Sequence, residues 1–109
     1  MRIYHVATRA DWETAQAAGS YTISTYGHDL DEVGFIHAAR REQWPLVKRR
    51  YYAEIYEPLV LLEIDTARLT SLVVDEQPHP GAETTYPHIY GALNVDAVVG
   101  VRDITRPVD

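Results

Sequence analysis

The stretch "RIYHVATRADWETAQAAGS", residues 2–20, changes its period once, and that change decides the class of fold. Over residues 2–7 the chain alternates as a strand does, with Ile3, His5 and Ala7 on one face and Tyr4 and Val6 on the other. From Arg9 the spacing lengthens to that of a helix, with a narrow apolar stripe of Trp12, Ala15 and Ala18. Thr8 stands at the junction, where its hydroxyl can accept from the free amides over Ala10 and Asp11, and Gly19 stands where a left-handed C-terminal cap is expected. The expected helix runs over about residues 9–18 and packs closely on a sheet, because its stripe is made of small residues.

Working outward, "SYTISTYGHDLDEV" (20–33) is polar and without a sustained period, and reads as a long loop of the kind that often carries function. "GFIHA" (34–38) is a short strand ending at His37. A second helix is expected over 41–53, with Pro45 tolerated in its first turn, Trp44, Val47 and Tyr51 as its buried stripe, and Lys48, Arg49 and Arg50 on its solvated face. "PLVLLEIDTARL" (58–69) reads as a buried strand over Leu59–Ile64, with Glu63 its odd residue, closed by an Asp-Thr turn and a short helical turn. "SLVVDE" (71–76) is a further strand. In "QPHPGAETT" (77–85) two prolines and a glycine exclude regular structure. "YPHIYG" (86–91) and "DAVVGVRDI" (96–104) complete an α+β set of two main helices, about six short strands and two long loops. Residues 1–109 show neither linker nor repeat and are expected to form a single domain.

Composition narrows the function classes. The chain has no cysteine, which excludes a disulfide framework, thiolate zinc ligands and a cysteine nucleophile, and fits a cytoplasmic location. Its start lacks the apolar run of a signal peptide, and no segment reaches the length of a membrane span. A formal charge of −6 repels a phosphate backbone, so no nucleic-acid partner is expected. No phosphate-binding glycine loop, nucleophile elbow or dinucleotide-binding glycine motif occurs.

What remains is a set of histidines. His5, His37 and His88 each lie in a predicted strand near a transition to a loop, whereas His28 and His79 lie in loops. A buried imidazole needs partners for both ring nitrogens, so three in strands point to a shared chemical site more than to filler. Alternation puts His88 and Tyr90 on one face, opposite Ile89. Pro87 removes a backbone donor, so this segment is expected at a sheet edge, with His88 on the rim of a pocket and Gly91 leaving its entry open. With one of Glu63, Glu76 or Glu83, the three imidazoles can perform acid-base work. They are also a credible divalent-metal set, though without the short-range spacing that makes such a set specific.

"IYHVATRADWETAQAAGSY", "GFIHA", "LVLLEID" and "YPHIYGAL", in this order and spacing, resemble the bacterial "domain of unknown function 952" family over nearly the whole chain. The resemblance implies an ADP-ribosyltransferase-like fold, with split antiparallel β-sheets and helices packed on them, in a small cytoplasmic protein. In enzymes of that larger group a histidine on the first core strand bonds a ribose hydroxyl of NAD, a tyrosine stacks on nicotinamide and a glutamate supports the ribosyl cation. His5 is the match for the histidine. Tyr26, Tyr86 or Tyr90 would be the stacking ring and Glu76 or Glu83 the carboxylate. Thr8 would be the hydroxyl residue, although Val6 and Ala7 separate it from His5 where that group often has a glycine and then a hydroxyl directly. Three classes therefore stay open: an enzyme or degenerate enzyme binding a nucleotide or NAD-like small molecule in a histidine-lined cleft, a non-catalytic ligand-binding or interaction module, and a metal-binding protein using His5, His37 and His88.

Overall fold

The computed structural model describes residues 1–105. In chain order they form β1 (Arg2–Thr8), α1 (Arg9–Ala18), β2 (Ser20–Tyr21), β3 (Ile23–Thr25), β4 (His28–Asp29), α2 (Leu30–Val33), β5 (Ile36–His37), α3 (Trp44–Tyr51), β6 (Leu59–Asp65), β7 (Leu72–Glu76), β8 (Tyr86–Tyr90), β9 (Leu93–Asn94) and β10 (Val98–Asp103). One-turn 3-10 segments cover Thr66–Arg68 and Val95–Ala97. Two three-stranded antiparallel sheets, β1-β6-β10 and β5-β8-β7, carry the architecture, with two short ribbons, β2-β9 and β3-β4, beside them.

The first sheet is covered on both faces, which is why its central strand β6 reads as an unbroken apolar run. Ile3 and Ala7 of β1 join Val60, Leu62 and Ile64 in a core with Trp12 and Ala15 of α1 and with Ile36 and Ile89 of the second sheet. Tyr4 and Val6 join Leu59 and Leu61 in another core with Trp44 and Tyr52 at the two ends of α3. Alternation along β1 thus divides side chains between two cores, and six of its seven residues are buried. Thr8 accepts from the Asp11 amide at 3.1 Å as the N-cap of α1, and Gly19 closes the helix at φ +89°.

Several expectations are corrected. The long loop over 20–33 holds three short strands and the single turn α2, because its strands pair with partners that are distant or bulged. Ala18 is exposed. In α3 the side chains of Lys48 and Tyr51 exchange the places expected of them: Lys48 is buried and Tyr51 is exposed. The residue that fills the second core is Tyr52. Strand β8 is central in its sheet, not an edge. Pro87 lies opposite Ala38, one step beyond β5, where its carbonyl still accepts from the Ala38 amide and only the return bond is lost.

The two sheets meet along the free edge of β1. Tyr4 and Ala39 exchange two backbone hydrogen bonds of 2.8 Å, and the pairing goes no further. Past that bridge the chains part, and the gap is where the cleft lies.

Candidate functional site

At the split, an imidazole replaces a backbone donor. His5 donates its Nδ1–H to the carbonyl of His37 at 2.5 Å, and its Nε2 accepts from the Tyr21 hydroxyl at 3.0 Å. Both ring nitrogens are therefore spent inside the protein. The residue is 3% exposed, and burial lowers its pKa to about 4 against the hydrogen bond to the His37 carbonyl, which raises it, so it is neutral near pH 7.

His37 is different. It is half-buried, its pKa is also lowered to about 4, by burial and then by the charge of His88, and among the described residues its ring nitrogens make no hydrogen bond. It faces a cavity of about 220 Å³ whose wall also holds His5. Ser24 and Thr25 of β3 line the same space, as do Leu46, Val47 and Arg50 of α3, Tyr86 of β8, and Pro78 and His79 from the 77–85 loop. Ser24 is wholly buried, and its Oγ has no hydrogen-bond partner. The described wall contains no Asp or Glu, and Arg50 is its one formal charge.

His88 stands behind His37, not in the cavity wall. The two are cross-strand partners, with ring centroids 5.1 Å apart and planes at 88°. Phe35 stacks on His88 at 4.0 Å and 15°, and His88 is 1% exposed, so the expected rim position is corrected to a core one. Its Nδ1–H donates to Glu76 Oε1 at 2.8 Å, the Tyr90 hydroxyl donates to the same oxygen, and its buried Nε2 has no partner. The bond from Tyr90, and then that from His88, holds the Glu76 carboxyl below its usual range.

The structure brings His5, His37 and Tyr86 to the cleft and leaves the remaining candidates elsewhere. Thr8 caps α1. Tyr26 is 41% exposed and bonds Glu57. Glu76 and Tyr90 belong to the His88 cluster, Glu83 is exposed in its loop, and Glu63 pairs with Arg2 at 3.3 Å. Gly91 has φ +149°, and a Cβ there would collide with Ser71, so its role is close approach of backbone. Among the described residues no group of three or more His, Asp or Glu stands where it could hold a metal ion; His5 spends both ring nitrogens on internal partners and His88 its Nδ1. Sequence reasoning missed Ser24, concealed in a polar segment read as loop; Arg50 is exposed, as its assignment to a solvated face expected, and also borders the cavity. No local pattern distinguishes either from its neighbours.

Among the described residues no helix is long and apolar enough to cross a membrane. Fold and cleft together define a small compact α+β protein of several antiparallel sheets and few helices. The chain belongs to the family described as Protein of unknown function (DUF952), whose model matches residues 6–101. It is similar to the crystal structure of protein CC0527 from Caulobacter crescentus, with 28% identity, a TM-score of 0.78, and coverage of 94% of this chain and 85% of that chain. The solution NMR structure of CC0527 gives 26% identity and a TM-score of 0.68, covering 94% of this chain and 83% of that one. No curated protein matches the chain.

Proposed function

We propose that this protein binds a small, nucleotide-like or NAD-like molecule in the cleft where the two sheets part, as an enzyme or a degenerate enzyme. The observation that carries this reading is the Ser24 hydroxyl, wholly buried in the cleft wall without a partner. A buried polar group is nearly always bonded, and an orphan in the same cavity wall as a neutral imidazole with free nitrogens suits a ligand that supplies the missing partner. An ADP-ribosyltransferase-like kinship is in keeping with the split antiparallel arrangement and with a histidine on the first strand. His5, however, has no nitrogen left for a ribose hydroxyl, and no carboxylate lines the described wall to support a ribosyl cation. These two observations favour a second reading, a non-catalytic binding module.

Thermal unfolding of the metal-free protein against nucleosides, nucleotides and NAD tests binding. A midpoint raised by one of them, and no longer raised in Ser24→Ala or His37→Ala, is the expected result. No shift with any of the panel would sink the reading. Chromatography of the ligand after long incubation separates enzyme from module, since only an enzyme alters it.

A further inference from the structure

We infer that the cleft is built for a compact anion: one planar ring bearing a single phosphate or carboxylate, its charge at Arg50 and its polar edge at Ser24 and His37. The inference deepens the binding reading above and rests on it.

Charge is the first argument. The chain is acidic overall, at −6, yet the described cleft wall holds no carboxylate. Arg2, Arg9, Arg40 and Arg68 are all engaged by Asp or Glu. Arg50 is exposed at the cavity and has no hydrogen bond or ion pair among the described residues. A lone guanidinium over an acid-free wall is a fork with planar donors and nothing to receive them, and phosphate and carboxylate both match it.

The uncharged polar groups of the wall then suggest which part of a ligand each would meet. His37 is neutral at physiological pH and offers no charge, but its free nitrogens can donate or accept. The Ser24 hydroxyl can do the same. Together they suit the mixed donor and acceptor edge of a heterocycle or a ring amide, not an anion, which leaves the anion for Arg50.

Size sets the upper limit. At about 220 Å³ the cavity is smaller than the roughly 300–1,000 Å³ of drug-sized pockets, so it encloses a ring with little more than its sugar. The second half of a dinucleotide would remain outside and gain no contact.

Titration calorimetry with a neutral nucleoside, its 5′-monophosphate, an aromatic ring carboxylate, the dinucleotide NAD and inorganic phosphate tests this, using wild type, Arg50→Gln, Arg50→Lys and Ser24→Ala. The expected result is that the monophosphate or the ring carboxylate binds about ten-fold or more tightly than the nucleoside. Arg50→Gln should remove that advantage without weakening the nucleoside, Arg50→Lys should recover part of it, and Ser24→Ala should weaken charged and neutral rings alike. Which of the two anions gains more distinguishes phosphate from carboxylate as the natural group. If the nucleoside binds as tightly as its monophosphate, if Arg50→Gln changes nothing, or if NAD exceeds the monophosphate, the inference falls while the binding reading stands. Inorganic phosphate binding as tightly as any ring compound would remove the ring from the inference. Absence of binding by every probe would overturn inference and reading together.

Discussion

His5 of β1 donates to the main-chain carbonyl of His37, 32 residues away, and so continues with a side chain the sheet-to-sheet bonding that the Tyr4–Ala39 bridge begins. The bond requires Nδ1–H, while the Tyr21 hydroxyl fills Nε2, so the ring has no place for a second proton.

Stability should therefore fall with acid. An unfolded imidazole titrates near 6.5 and folded His5 near 4, so below pH 6.5 the unfolded chain binds the proton first. The contribution is fully present above pH 6.5, declines as pH falls towards 4, and amounts to roughly 3 kcal/mol for the whole span. His37 acts in the same direction, less strongly because solvent reaches it. Urea unfolding at pH 7.5 and 4.5 measures the loss, and a flat profile would contradict a neutral, doubly bonded His5.

His88→Ala should destabilise the protein by about 2–4 kcal/mol, since it deletes a fully buried ring stacked on Phe35 and paired across the sheet with His37. Tyr90→Phe removes only an exposed hydroxyl from the same carboxylate and should change the unfolding midpoint far less. Equal midpoints for the two variants would place His88 outside the core.

Gly91→Ala should cost more than about 1 kcal/mol, because it meets both a backbone conformation that L-residues rarely adopt and the Ser71 side chain. Adding Ser71→Gly should return the part due to collision but not the part due to φ. A double-mutant cycle in unfolding free energy reads the coupling, and strict additivity would show that the two residues do not touch.

Thr8→Ala should lower stability by about 1 kcal/mol through loss of the α1 cap and leave ligand affinity unchanged, since Thr8 lies outside the cleft wall. A ligand affinity that drops with this substitution, measured on folded protein, would return Thr8 to the site.

What the sequence determined by itself is local or familial. The period change at Thr8, the two caps of α1, the apolar run of β6 and the helical turn after Asp65 depend on neighbours a few residues away, and all stand where their patterns put them. The ordered set of four segments carried the family. The two-residue strands β2 and β9 were illegible because neither has a period; each exists only through its pairing with the other, more than 70 positions along the chain. The division of labour among the histidines was equally hidden. His5, His37 and His88 share one kind of local context, yet one is spent as a tie between sheets, one faces the cavity with free nitrogens, and one is shut behind an aromatic ring. Tertiary structure decided this because the fate of an imidazole depends on what covers it and which partners reach its two nitrogens, and here those groups come from strands 12 to 32 residues away.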